Sequence, residues 1–222
     1  MEHEVQVRAT PDAVAREAAR YVAAKAKAAV AEHGRFTFAV SGGRTPWAMF
    51  AALAQEEVPW TGVELFQVDE RIAPEGDSSR NLTHLRESIG DAPATVYPMP
   101  VNDADLDAAA AAYAARLPER FDLVHLGLGP DGHTASLVPG DPVLTVTGAL
   151  VALTQPYQGE RRMTLTYPAL ARADQLLWLI TGEDKRDALA RLLSGDESIP
   201  AGRVRAGRSL VLADAAAADH DE

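Results

Sequence analysis

The sequence predicts an α/β protein whose mostly parallel β-sheet is covered by helices on both faces. Apolar, β-branched runs alternate along the chain with alanine-rich stretches of helical character. The run FDLVHLG, residues 121–127, is nearly all apolar, which is typical of a strand buried on both sides. With 222 residues, 47% of them hydrophobic, the chain is long enough for one sizeable core, and we expect a single domain over residues 1–222.

The predicted elements follow one another closely, without an internal repeat or a long linker. Strands are expected where apolar and β-branched residues cluster, at Phe36–Val40, Val63–Val68, Phe121–Gly127, Leu150–Leu153, Met163–Thr166, Gln175–Thr181 and Ser209–Leu212. Helices are expected at Pro11–Glu32, Pro46–Ala54, Asn81–Ser88, Leu106–Leu117 and Lys185–Leu193. The tail ADAAAADHDE, residues 213–222, is expected to fray.

Charge and composition exclude several classes of protein. The formal net charge of −11 argues against a general nucleic-acid or anionic-membrane binder, so neither partner is expected. The chain has no cysteine, which excludes disulfides, thiolate metal sites and cysteine nucleophiles. Because no apolar run is long enough to span a bilayer and the start MEHEVQVRAT is too polar for a signal peptide, a cytoplasmic location is expected.

Open parallel sheets bind ligands outside the carboxyl ends of their strands, and the first such end here carries SGGRTP, residues 41–46. Thr45 is predicted to cap the following helix, with Pro46 in its first position. Gly42 and Gly43 would let an anion such as phosphate approach the free N–H groups of that helix. A plain strand-to-helix turn explains the stretch equally well.

The second strand end carries DER, residues 69–71. Asp69 is a candidate for binding substrate hydroxyls, and Arg71 for polarising a carbonyl or steadying an anion. A solvated charged turn explains most such clusters, so this signal is weak by itself.

The third strand end, HLGLGPDGHTASLVPG, is the richest in chemistry-bearing residues. His133 is predicted to act as a general base, and Asp131 is close enough in sequence to orient its ring. His125 lies inside the strand and is expected to be a satisfied core or edge histidine. No HExxH or comparable spacing is present, so no metal site is expected.

The fourth strand end, TGEDK, places Lys185 at a helix start, where a cation opposes the helix dipole. That unfavourable position is easier to explain if Lys185 faces a bound anion, although a surface lysine is the simpler interpretation. Arg162, in RRMTLT, is a further candidate cation beside a strand.

The motifs SGGRTP, DER, LGLGPDGHTASLVPG, RMTLT and TGEDK occur in the order found in 6-phosphogluconolactonases, and the chain resembles that family from about Phe36 to Lys185. The GxGxDGHxxSL motif is specific, whereas SGGxTP is shared with related sugar-phosphate deaminases. The resemblance implies a three-layer α/β/α fold with a Rossmann-like sheet. It also implies hydrolysis of 6-phosphoglucono-1,5-lactone in the oxidative pentose phosphate pathway, without metal or cofactor.

The resemblance further implies a role for each candidate residue. His133 would activate the attacking water, Asp131 would hold that water or the imidazole, and Arg71 would steady the developing oxyanion. The 6-phosphate would be held by Gly42, Gly43, Thr45, Arg162 and Lys185. Ser41, Arg44 and Asp69 complete the substrate-binding set, with the role of Arg44 left open.

Two further expectations concern serines and partners. Of the serine–asparagine pair usual after DER in that family, only Asn81 carries over. Ser136 is expected to be structural, because an activated lactone needs no covalent nucleophile.

The expected partner is a small phosphorylated sugar lactone, and the expected assembly is a monomer or weak homo-oligomer.

Two other functions remain open. A glucosamine-6-phosphate deaminase or isomerase would share the fold and the phosphate loop, but deaminases carry an assisting glutamate five residues after the histidine, where this chain has Val138. A non-catalytic sugar-phosphate sensor with a DNA-binding segment is disfavoured by the acidic charge and by the short stretch before Phe36.

Overall fold

The protein contains a seven-stranded, entirely parallel sheet with strand order β1-β10-β9-β6-β2-β3-β5. The structure is a computed structural model, and it describes residues 1–218. The strands of this sheet are β1 (Glu4–Arg8), β2 (Phe36–Val40), β3 (Val63–Gln67), β5 (Thr95–Tyr97), β6 (Leu123–Leu126), β9 (Gln175–Ile180) and β10 (Arg208–Asp214).

Helices cover both faces of the sheet, so the predicted three-layer α/β/α fold is confirmed. The helices are α1 (Pro11–His33), α2 (Arg44–Leu53), α3 (Asn81–Ile89), α4 (Leu106–Ala114), α5 (Tyr167–Leu170), α6 (Arg186–Leu193) and α7 (Ala215–Ala218). Strand β9 is apolar throughout because both of its faces are buried. Leu177 and Leu179 pack beneath α1 and α2, while Leu176 and Trp178 pack in the core on the opposite face of the sheet.

Two of the predicted strands lie outside the parallel sheet. Strands β7 (Val151–Leu153) and β8 (Arg162–Leu165) form a second, antiparallel sheet with β4 (Asp69–Arg71), in the order β4-β8-β7. The reason is the connection between β7 and β8, which is too short for the crossover that parallel neighbours require. The motif DER is therefore a strand of this small sheet and not a solvated turn.

Strands β1 and β5 were not predicted, because β1 is a partly charged edge strand and β5 is three residues long. The predicted fraying of residues 213–218 is wrong: Ala217 is fully buried and donates its N–H to Asp214 at 2.9 Å. Residues 219–222 of that tail lie outside the described residues. Within residues 1–218, no helix is both long and apolar enough to cross a membrane.

Candidate active site

A cavity of about 210 Å³ opens at the carboxyl ends of β2 and β6, beside the small antiparallel sheet. This is the edge of the sheet where the strand-end rule places a ligand site. Of the residues predicted from the sequence, its wall contains Ser41, Gly42, Gly43, Asp69, Arg71, His133 and Arg162.

His133 is oriented by Asp131 within a tight turn that follows β6. The backbone N–H of Gly129 donates to the carbonyl of His133 at 2.8 Å, and Gly132 closes the turn at a φ of 80°, a conformation that favours glycine. Asp131 Oδ1 lies 2.6 Å from His133 Nδ1 and also accepts the His133 backbone N–H at 3.1 Å. Because the carboxylate accepts a hydrogen bond from Nδ1–H, the lone pair of Nε2 is left for a substrate or water.

The surroundings of Asp131 favour its charged form. Partial burial opposes ionisation, but the His133 backbone N–H and the adjacent imidazole outweigh it and hold the pKa of Asp131 below its usual value. Asp131 does not itself line the cavity; it acts on the cavity through His133.

Arg71 and Arg162 form the cationic side of the cavity. They are directly opposite each other in the pairing of β4 with β8. Arg71 donates from Nη1 to Asn81 Oδ1 at 3.0 Å and pairs through Nε with Glu160 at 3.2 Å. Since like charges directly opposite on a sheet repel, this pair favours an anion in the space that both arginines line.

Glu70, which lies between Asp69 and Arg71 in DER, is a structural anchor. Its side chain is fully buried and accepts the backbone N–H groups of Arg71, Asn81 and Leu82 at 2.8–2.9 Å. Its Oε2 also lies 3.3 Å from Arg80 Nε, in a pair that is buried on both sides. Glu70 thereby ties β4 to the start of α3 and sets the position of Arg71.

Asp69 lines the cavity and accepts a hydrogen bond from Ser136 Oγ at 2.7 Å. Burial raises the pKa of Asp69 above its usual value, although the Ser136 hydroxyl and the Arg71 guanidinium oppose that shift. Ser136 is fully buried, so its predicted structural role agrees with its position.

The glycine loop after β2 differs from the prediction in one respect. Helix α2 begins at Arg44, its N-cap is Gly43 at a φ of 133°, and no side chain caps it. The prediction that Thr45 is the cap is therefore wrong, because glycine at this φ lets the helix begin earlier. The Thr45 hydroxyl instead lies 2.7 Å from the Thr181 hydroxyl. The uncapped N–H groups of the first turn remain open to an anion.

Position 42 must be glycine because the side chain of Asn81 lies against it. A Cβ at this position would overlap the side-chain amide of Asn81, which is fixed by Arg71 and by the backbone carbonyl of Asp69. Asn81, whose role the sequence left weak, thus contacts both the glycine loop and the arginine of the site.

Lys185, Thr45 and Arg44 are not part of the cavity wall. Lys185 Nζ pairs with Asp184 at 3.0 Å, which compensates the unfavourable position of a cation at a helix start. Arg44 and Thr45 line a neighbouring cleft with Asp184. A phosphate contact for these three residues therefore stays a prediction.

His125 is a buried core residue, as predicted, but it is not fully satisfied, because its Nε2 has no hydrogen-bond partner within residues 1–218. Burial lowers its pKa to about 3, and its neutral ring accepts the Ser41 backbone N–H at 3.2 Å through Nδ1. No group of three or more His, Asp or Glu within residues 1–218 is placed to hold a metal ion.

Tyr157 and Gln158 line the cavity and were missed from the sequence. They lie on the connection between β7 and β8, which the pairing of β8 with β4 brings over the site. The only local signal was an aromatic residue followed by Gln-Gly, a turn-forming pair, five residues before Arg162.

Comparison with known proteins gives consistent matches over most of the chain. Residues 9–212 match the family model for glucosamine-6-phosphate isomerases/6-phosphogluconolactonase. The chain is 37% identical over 218 residues to the 6-phosphogluconolactonase of Streptomyces coelicolor, covering 86% of this chain and 84% of that protein. It is 36% identical over 180 residues to the 6-phosphogluconolactonase of Synechocystis, covering 75% of each.

Solved structures agree with the sequence matches. The 6-phosphogluconolactonase of Thermotoga maritima superposes with a TM-score of 0.87 at 25% identity, covering 96% of this chain and 100% of that one. The chain therefore belongs to the glucosamine-6-phosphate isomerase/6-phosphogluconolactonase family.

Proposed function

We propose that the chain hydrolyses 6-phosphoglucono-1,5-lactone to 6-phosphogluconate, a step of the oxidative pentose phosphate pathway. The observation that carries this proposal is the His133–Asp131 pair, 2.6 Å apart, beside a cavity that Arg71 and Arg162 line. Relatives named 6-phosphogluconolactonase, matched over most of their length, support the choice of substrate.

Water is the nucleophile in this mechanism. With Asp131 accepting from Nδ1, His133 Nε2 takes a proton from water while the water oxygen bonds to the lactone carbonyl carbon. Arg71 stabilises the negative charge that develops on the carbonyl oxygen. The bond from that carbon to the ring oxygen then breaks, and the imidazolium returns the proton to the ring oxygen. The product acid loses a proton to solvent at neutral pH.

A covalent route through a serine has no support in the described residues. Ser136 is fully buried, and its hydroxyl donates to Asp69. The Ser41 hydroxyl is also buried, and the hydrogen bonds of the His133 ring within residues 1–218 do not include a serine. Direct attack by water is therefore the simpler mechanism.

The 6-phosphate is expected near the cationic and glycine-rich side of the cavity. Arg162 lines the cavity, and its guanidinium brings positive charge to that wall. Gly42 and Gly43 expose the uncapped start of α2 on the same wall. Lys185 pairs with Asp184 outside the cavity wall, so its contact with the phosphate is a separate prediction.

The deaminase reaction is the less favoured alternative. It requires additional acid–base groups, and the position five residues after His133 is the buried Val138. Asp141 cannot substitute, because its carboxylate already accepts the backbone N–H groups of Val143 and Gln155 at 2.8 and 2.9 Å. Asp131 is the carboxylate that contacts the His133 ring.

The proposal is tested by steady-state hydrolysis of freshly prepared 6-phosphoglucono-1,5-lactone, corrected for spontaneous ring opening. His133→Ala should lower kcat by about 10²–10⁴-fold. His33→Ala is a matched control, since His33 lies on the last turn of α1 and pairs with Asp122, outside the cavity. Wild-type turnover in His133→Ala would refute the assignment of the base.

We also propose that the protein acts in the cytoplasm as a monomer or weak homo-oligomer. The chain has no cysteine, so its folding needs no oxidising compartment for disulfide formation. Size-exclusion chromatography with light scattering over a range of protein concentrations tests the assembly.

A further inference from the structure

Tyr157 contacts three groups of the candidate active site at once. Its hydroxyl lies 3.3 Å from Asp131 Oδ2 and donates to it. Its ring packs edge-on against the His133 ring at 5.6 Å between centroids, and the guanidinium of Arg162 lies over its face at 5.1 Å. No other side chain in the described residues is recorded in contact with all three.

The backbone holds Tyr157 in place by a tight hairpin turn. Tyr157 and Glu160 exchange both backbone hydrogen bonds, at 2.9 and 3.2 Å, around Gln158 and Gly159. Those two residues have φ values of 53° and 84°, as in a type I′ turn. The far side of the turn is fixed by the pairing of Glu160 with Arg71 at 3.2 Å. The turn is thus anchored to the site at both ends.

Each carboxylate oxygen of Asp131 has its own hydrogen-bond partner. Oδ1 faces His133 Nδ1, and Oδ2 accepts from Tyr157. A carboxylate held at both oxygens cannot rotate away from the imidazole. Burial, and next the charge of Asp131, raise the pKa of Tyr157 above its usual value, so its hydroxyl keeps the proton that it donates.

We propose that Tyr157 is a positioning residue, which locks Asp131 against His133 through its hydroxyl and orients Arg162 through its ring. The hydroxyl then acts on the proton-transfer step, whereas the ring acts on the binding of the anionic substrate. The kinetic consequences rest on the proposed lactone hydrolysis, but the positioning of His133 can be measured without any substrate.

Two variants separate the contributions of the hydroxyl and the ring. Tyr157→Phe keeps the ring and should lower kcat about tenfold with little change in KM, since it removes one hydrogen bond from the Asp131 carboxylate. Tyr157→Leu should lower kcat similarly and also raise KM several-fold, because Arg162 loses its aromatic partner. Tyr21→Phe is the matched control: Tyr21 lies on α1 beside Gln175, outside the cavity.

The substrate-free measurement is NMR of the protein with 15N-labelled histidine. In the wild type, neutral His133 should carry its proton on Nδ1; in Tyr157→Phe its 15N shifts should move toward a mixture of tautomers. A wild-type tautomer, or wild-type kcat, in Tyr157→Phe would overturn the inference. If the wild type fails to hydrolyse the lactone, the proposed function is refuted while the tautomer measurement still decides the role of Tyr157.

Discussion

Replacing Gly129 by alanine tests whether the position of His133 determines the rate. A Cβ at Gly129 would overlap His133 Nδ1 and lie 2.7 Å from Asp131 Oδ1, whereas ordinary contact begins at 3.4 Å. The carboxylate must therefore retreat by about 0.7 Å, and the imidazole further. Because a misplacement of about 1 Å can cost about 10²-fold in rate, we expect kcat to fall by about that factor.

The assay is steady-state lactone hydrolysis, accompanied by the thermal midpoint of each variant. KM should change little in Gly129→Ala, since the atoms nearest to the added Cβ belong to His133 and Asp131 and not to Arg71 or Arg162. Gly148→Ala is the control: its Cβ meets nothing within 4 Å, and its φ is not positive. Gly129→Ala with kcat within twofold of wild type would refute the reasoning, as would a loss of the same size in Gly148→Ala.

Three further changes test the anchors and charges around the cavity. Glu70→Ala leaves the buried guanidinium of Arg80 without its carboxylate partner, so the free energy of unfolding in urea should fall by about 3–5 kcal/mol. The control Glu75→Ala removes an exposed carboxylate and should cost less than about 1 kcal/mol. Equal losses in the two variants would contradict the role of burial. Asp69→Asn tests the raised pKa of Asp69. Just above about pH 4, Asp69 loses its proton in the unfolded wild type but keeps it in the folded protein. The free energy of unfolding of the wild type therefore falls as pH rises through this window. The stability of the variant relative to wild type should therefore increase with pH across that window, and a flat difference would contradict the shift. Lys185→Ala should raise KM by about 10–100-fold if its ammonium binds the 6-phosphate, whereas an unchanged KM would exclude Lys185 from the site.

The elements that the sequence predicted best are those with the strongest hydrophobic pattern. Strand β2 matches its predicted bounds, and β9 differs by one residue at its end. Both are buried on two faces, which leaves little ambiguity in a run of apolar residues. The sequence could not reveal the small sheet, because the pairing of β4 with β8 joins residues about ninety positions apart.

In the candidate site, too, local sequence patterns predicted some residues, whereas others depend on tertiary contacts. The strand-end rule located His133, Arg71 and the glycine loop, since each lies in the segment that comes after a strand of the parallel sheet. Tyr157 was missed because its approach to Asp131 depends on the tertiary placement of a hairpin. Lys185 was assigned to a phosphate from its helix position and from the family resemblance, whereas in the structure its ammonium pairs with Asp184.

The most direct test of the central claim is to give the purified wild-type protein two substrates side by side. Freshly prepared 6-phosphoglucono-1,5-lactone is followed by acid release above the spontaneous rate, and glucosamine 6-phosphate by ammonia release. We expect rapid lactone hydrolysis that His133→Ala abolishes, and no ammonia above background. Ammonia release that depends on His133, without acceleration of lactone hydrolysis, would contradict this expectation.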